Sequence, residues 1–256
     1  MTGYNRIALL TDFGASSPYL GQIRLSLAES LPGIPVIDLI SDLPAFRSDL
    51  AAYLLPALIR GMPRGTLYLG VVDPGVGGNR LAIALEADGN LFIGPDNGLL
   101  ALVFRQAQSS SVQRIDWRPE TLSPSFHGRD LFAPVAVALT LGYPLEMTPM
   151  DCANLQGAVW PEDIPQVIYK DAFGNLITGL RAAILQTSEL VCVKGRRLQR
   201  ARTFNEVQVG TAFWYENAFG LVELAINQGS AAHELGLQVG DEIALIPSLK
   251  LCPGVD

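Results

Sequence analysis

The stretch "TLYLGVVDPGVGGNR" (66–80) decides the fold. An apolar run of strand length stops at an acid, a proline and a cluster of glycines, and an arginine follows. A run without polar alternation predicts a strand covered on both faces, as in a parallel sheet. The glycines permit backbone angles and close approaches that other residues resist. Asp73 and Arg80 therefore flank a tight turn at a strand end. Two readings stand: a turn alone, or a turn that brings both side chains to a ligand. The stretch is not G-x-G-x-x-G, and no G-K-[ST] follows, so it is not a phosphate cradle.

Working outward, "RIALLT" (6–11) reads as a second buried strand ending at Asp12, and "PVIDLI" (35–40) as another. Helical spacing covers 19–30, through Leu20, Ile23 and Leu27, and 46–61, where Pro56 is predicted to kink or divide the helix. "LAIAL" (81–85) and "NLFIG" (90–94) predict a hairpin around Asp88-Gly89. Helices are predicted over 99–107 and 131–142. This alternation predicts an α/β N-terminal domain over residues 1–150, with a mostly parallel sheet flanked by helices. Sites in such sheets gather where strands end, and Asp12, Asp73, Asp96 and Asn97 all fall there. Residues 151–164 are irregular and proline-flanked, which predicts a linker. Short strands separated by turns then predict a smaller all-β, barrel-like C-terminal domain over 165–256.

Composition narrows the function classes. The chain has 256 residues, 49% apolar and 17% charged, with net charge −7. That is a globular balance, and its sign argues against nucleic acid as a partner. No run reaches the roughly 18 apolar residues of a membrane helix, and the first residues lack signal-peptide form. Cys152, Cys192 and Cys252 are far apart, which predicts reduced cysteines and a cytoplasmic protein. Only His127 and His233 are present, so no metal site is expected.

Further clusters carry chemistry beside a plain structural reading. His127, in "SPSFHGRDLF" (123–132), stands in a polar cluster before a predicted helix, where Asp130 can serve as N-cap. Asp12 in "LLTDFG" (9–14) can accept two ribose hydroxyls or cap a loop. Asn97 in "GPDNGLL" (94–100) fits an Asx turn. In "KDAFGNLITG" (170–179), Phe173 can stack on an adenine while Asn175 hydrogen-bonds its edge, and a hairpin turn explains both equally. "KGRRLQRAR" (194–202) reads as a solvated hairpin or an anion site.

Together and in this order, "LLTDFG", "VVDPGVGGNR", "GPDNGLL", "FHGRDLFAP", "DAFGNLITG" and "LVELAINQGSAA" resemble the S-adenosyl-L-methionine (SAM) hydroxide adenosyltransferases, or SAM hydrolases, relatives of the SAM-dependent fluorinase and chlorinase. The resemblance runs through nearly the whole chain. It implies an α/β N-terminal domain, a β-barrel C-terminal domain, and a homotrimer binding its ligand between one subunit's N-domain and the next subunit's C-domain. It implies attack of water or hydroxide on ribose C5′ of SAM, giving adenosine and L-methionine, with no cofactor and no metal.

The family's hydrolytic Asp-Arg-His set falls on Asp73, Arg80 and His127. Halogenating relatives have aromatic residues at the Asp73 and His127 positions, and the fluorinase has a hydroxyl residue where Gly128 stands. The expected substrate-side residues are Asp12, Asn97, Gly128, Asp171, Phe173 and Asn175, with Asp171 near the methionine amine. Two positions depart from the family pattern. Ala218 replaces a serine near the substrate carboxylate, and Ser17 stands where halogenases carry an acid. The expected chemistry has Arg80 and His127 as cationic donors stabilising an incipient hydroxide, with Asp73 orienting the water. The alternatives are halide transfer giving a 5′-halo-5′-deoxyadenosine, a non-catalytic SAM- or adenosine-binding module, and a magnesium-dependent phosphate hydrolase built on Asp12, Asp73 and Asp96.

Overall fold

The computed structural model describes residues 3–185 and 189–247. The chain divides into two compact units. One takes the residues up to Pro56 with Gly61–Trp160, and the other takes Ala57–Arg60 with Pro161 onward.

The first unit runs β1 (Arg6–Thr11), α1 (Pro18–Ser30), β2 (Val36–Ile40), α2 (Ser48–Ile59), β3 (Thr66–Val71), β4 (Ala82–Ala87), β5 (Asn90–Pro95), α3 (Ala101–Gln106), β6 (Ser110–Ile115), α4 (Ala133–Leu141) and β7 (Met147–Met150). Its sheet has the order β2-β1-β3-β5-β4-β6-β7. The first four strands are parallel. Beyond β5 the pairing turns antiparallel, through the hairpin in which Asp88 and Gly89 both take positive φ. Every residue of β3 is buried, as the unbroken apolar run requires. Leu67, Leu69 and Ile93 face the core shared with Leu20, Ile23 and Leu27 of α1 and Phe132 and Ala136 of the α4 region. Tyr68 and Phe92, on alternate positions, stack on each other with centroids 4.7 Å apart.

Three local details differ from the sequence reading. Pro56 lies inside one continuous α2. Tertiary packing carries the helix across the missing N–H, with Leu54 and Leu55 buried before the proline and Ala57 after it. Strands β6 and β7 were not anticipated. β6 is polar along much of its length, and β7 is a four-residue edge strand containing Pro149, a position that tolerates proline. Within the predicted linker, Asp96 accepts the Gln156 N–H at 2.9 Å and Arg105 donates to the Ala158 carbonyl at 2.8 Å, so that stretch packs on the first unit.

The second unit contains β8 (Ile164–Lys170), β9 (Leu176–Arg181), β10 (Glu189–Val193), β11 (Arg196–Arg200), β12 (Ala212–Glu216), β13 (Leu221–Ile226), the single turn α5 (Ala231–Glu234) and β14 (Ala244–Pro247). The strand order is β14-β10-β11-β12-β13-β9-β8. A bridge between Gln166 and Glu242 brings the two edges together, so the sheet is a nearly closed barrel. Val167, Leu176, Val191, Trp214, Val222 and Leu224 fill it. Cys152 is a free thiol. Cys192 is disulfide-bonded, which corrects the expectation of reduced cysteines: an odd count without redox spacing does not exclude a bridge. Cys252 lies outside the described residues. No helix among the described residues is long and apolar enough to cross a membrane.

The turn after β3 is fixed by steric contact. Gly77 has φ 78°, and a Cβ there would lie 2.3 Å from the Pro124 carbonyl oxygen. The glycine turn and the segment leading to His127 therefore lie in direct backbone contact. Gly77→Ala is expected to cost about 1–3 kcal/mol. The measurement is the midpoint of urea unfolding, which should fall while the far-ultraviolet spectrum of the folded protein is unchanged.

Candidate active site

β1 and β3 are parallel neighbours in register, with Thr11 opposite Val71. The chain therefore delivers Asp12 and Asp73 side by side at the same sheet edge. His127 arrives from another direction, immediately before a π-helical turn, Gly128–Phe132, that runs into α4. Such turns are uncommon and concentrate at functional sites. Gly128 lies in a close-packed place: a Cβ would sit 3.0 Å from Ile23 Cδ1 and 3.5 Å from the Phe126 ring.

These elements enclose a cavity of about 420 Å³ lined by Asp12, Tyr19, Phe46, Asp73, Phe126 and His127 among others. Arg80 Nε lies 3.0 Å from both oxygens of Asp73, and Arg80 Nη2 lies 2.5 Å from Asp73 Oδ2. The Asp73 side chain is 4% exposed and that of Arg80 10%. Such a forked, shielded pair is held in one geometry. The same Nη2 lies 2.7 Å from His127 Nδ1, and the guanidinium sits 5.2 Å from the Phe132 ring centroid.

A guanidinium can only donate, so His127 Nδ1 must accept and carries no proton. Burial holds the His127 imidazole below its ordinary pKa, and the Arg80 charge adds to the effect. The ring is thus neutral, with its proton on Nε2. This corrects the expectation of two cationic donors: Arg80 alone supplies positive charge.

Asp12 stands across the same cavity. Burial raises its carboxyl pKa, and the nearby Asp73 charge adds to it. Its Oδ2 accepts the Phe46 N–H at 3.0 Å. Phe46 is 74% exposed and has φ 63°, a left-handed backbone that phenylalanine rarely adopts. Tyr19 packs edge-on against Phe126 at 5.0 Å. Sequence reasoning missed this aromatic wall. Phe46 stands in the connection before α2 and Tyr19 in the first turn of α1, and no spacing in the sequence distinguishes either.

Other expected residues serve differently. Asn97 spends its amide inside the fold, donating to the Val72 carbonyl at 2.7 Å and accepting from Leu99 N–H at 3.3 Å. It braces the residue just before Asp73. Ser17 is the N-cap of α1, accepting from Tyr19 N–H. Asp130 accepts the Ser123 N–H and pairs with Arg129.

The remaining expected residues lie in the second unit, around a separate cavity of about 640 Å³ lined by Asp171, Phe173, Asn175, Tyr215 and Glu223 among others. Asp171 Oδ1 accepts the N–H groups of Phe173 and Asn175, and its Oδ2 accepts Asn175 Nδ2. Phe173 is 80% exposed, whereas Asn175 is buried. Among the described residues, no cluster of three or more His, Cys, Asp or Glu residues could hold a metal ion.

The model of the SAM hydroxide adenosyltransferase N-terminal domain matches residues 7–148, and that of the family's C-terminal domain matches residues 165–244. The chain belongs to the SAM hydroxide adenosyltransferase family. It is 38% identical to a protein of Thermus thermophilus named (R)-S-adenosyl-L-methionine hydrolase, over 94% of this chain and 99% of that one. It is 34% identical to one of the same name from Salinispora arenicola, over 93% and 96%. Among solved structures, an uncharacterized conserved protein from Thermotoga maritima superposes with a TM-score of 0.83 at 28% identity, over 93% of this chain and 99% of the other. Relatives named fluorinase match at 23% and 21% identity.

The neutral ring of His127 makes a sign-definite prediction. Its folded pKa lies below 6.5, so the unfolded chain takes up the proton more readily. The stability this contributes is complete above pH 6.5 and declines as pH falls from there through the folded value. A ring-proton NMR titration should show a His127 midpoint below 6.5, and Arg80→Met should move it upward.

Proposed function

We propose that this protein hydrolyses S-adenosyl-L-methionine to adenosine and L-methionine. The observation that carries the reading is the contact set Asp73–Arg80–His127 at a cavity that also presents Asp12, in a chain of this family.

The sulfonium is already a good leaving group, so the reaction needs a placed nucleophile more than a strong acid. Placement can supply about 7–11 kcal/mol of such a barrier. In the proposed arrangement Asp73 accepts one hydrogen of a water and His127 Nε2–H donates to its oxygen, leaving a lone pair for C5′. Arg80 holds both residues in place. The O–C5′ bond forms as the C5′–S bond breaks, the sulfur keeps the electron pair, and methionine leaves as a neutral thioether. The new oxonium is far more acidic than a carboxylic acid. It therefore loses its proton readily to Asp73. Asp12 holds the ribose hydroxyls, and the aromatic wall flanks the nucleoside.

Halide transfer fits this cavity poorly, because a halide beside the Asp73 carboxylate would be repelled. The reading includes action without a metal, and a homotrimer in which Phe173 and Asn175 of a neighbouring subunit receive the adenine. The resemblance supports that assembly.

End-point chromatography with each sulfonium epimer, with and without chloride or fluoride, tests the reaction. Adenosine and methionine are the expected products, unchanged by EDTA; a 5′-halo-5′-deoxyadenosine or no turnover would overturn the reading. Asp73→Asn should lower turnover roughly 10²–10⁴-fold, the range for a positioned acid–base group, and adenosine affinity by calorimetry should stay within about threefold.

A further inference from the structure

The contact between His127 and Arg80 depends on a stretch with little structure of its own. Residues 116–126, between β6 and His127, contain no strand or helix. The bond from Arg80 Nη2 to the ring nitrogen is short, and such bonds weaken steeply once donor and acceptor fall out of line. The shape of this stretch therefore decides whether the ring meets the guanidinium.

One residue beyond the ring grips both ends of the turn that precedes it. The Asp130 carboxylate accepts the Ser123 N–H at 3.1 Å, and the Asp130 N–H donates to the Phe126 carbonyl at 3.1 Å. The Phe126 N–H closes the turn onto the Ser123 carbonyl at 3.4 Å. Arg129 fixes the carboxylate in turn. Its Nε lies 2.5 Å from Asp130 Oδ1 and its Nη2 lies 3.0 Å from Oδ2. The same guanidinium sits 4.8 Å from the Phe126 ring centroid, and its Nη1 lies 2.6 Å from Gln22 Oε1 on α1. The bond from Arg129 holds the Asp130 carboxyl below the usual carboxylate range. The acceptor for Ser123 is thus ionised throughout the range in which a histidine titrates.

We propose that Asp130 is a positioning residue for His127: by holding the Ser123–Phe126 turn it sets the imidazole against Arg80 and so aims Nε2–H at the water. This rests on the hydrolytic reading of the Asp73–Arg80–His127 set. Asp130 is not among the residues lining the cavity, and it acts through the backbone that it holds.

The test separates the hydrogen bond of the carboxylate from its charge. Asp130→Asn and Asp130→Ala remove the same charge, but an asparagine oxygen can still accept the Ser123 N–H and alanine offers nothing. Burial lowers the His127 pKa most, Arg80 and Arg118 lower it further, and Asp73 and Asp130 raise it. Loss of the Asp130 charge is common to both variants and lowers the midpoint in both. A ring released from burial and from Arg80 moves the other way. The His127 midpoint from ring-proton NMR is therefore expected to lie higher in Asp130→Ala than in Asp130→Asn. Turnover of SAM in Asp130→Ala should fall about 10- to 100-fold, the scale for a displaced group, with KM within about threefold, and Asp130→Asn should recover most of it. Equal midpoints in the two variants overturn the proposal, as does equal turnover. Should Asp130→Ala fail to fold, an ester in place of the Leu122–Ser123 amide decides, because it deletes that N–H and keeps every charge. A His127 midpoint above that of the wild type then supports the proposal, and an unchanged one overturns it. A wild type that does not hydrolyse SAM overturns the reaction reading alone, since the midpoint comparison decides whether Asp130 sets the ring without any turnover.

Discussion

One guanidinium organises the first unit's cavity. Arg80 grips Asp73 through two nitrogens, donates to His127 and lies against the Phe132 ring. Each contact removes a freedom from a neighbour. Asp73 loses its rotation, and His127 loses its choice of tautomer. The pair is nearly closed to solvent, where such contacts hold their geometry against thermal motion. The electrostatic character of the site follows from this arrangement. It presents one shielded cation, one committed carboxylate and one neutral ring with a single donor.

The scaffold makes that grip possible by matching positions far apart in the chain. The parallel register of β1 on β3 sets Asp12 beside Asp73. Asn97, leaving β5 at the same edge, ties down the carbonyl of Val72. The backbone contact between Gly77 and Pro124 couples the glycine turn to the segment carrying His127, and the π-helical turn begins at Gly128, packed close to Ile23. The second unit works by different means. Its cavity is bounded by side chains of a nearly closed sheet, and the Asx turn at Asp171 leaves Phe173 exposed while Asn175 is buried.

Much of this was legible before any coordinates. The unbroken apolar run of β3 reported burial on both faces, and the change from long helices to short strands marked the passage to the barrel. The order of motifs named the family, and the strand-end acids indicated where to look. What stayed hidden depends on distances that sequence does not encode. The tautomer of His127 follows from a 2.7 Å contact with a residue 47 positions away. Phe46 gave no signal because its role depends on a backbone angle. β6 and β7 escaped because edge strands need little apolar character.

The bond from Phe46 to Asp12 spans 34 positions and joins two tasks in one carboxylate. The acid proposed to hold the ribose also tethers an aromatic residue in an otherwise unfavourable twist. Removing Asp12 would release that tether along with the proposed hydroxyl contacts, so any loss of affinity would mix a missing polar contact with a collapsed wall. Sugar capture and the shape of the chamber are therefore not separable by substitution at that position, and only a change to the ligand, such as deleting a ribose hydroxyl, isolates the first from the second.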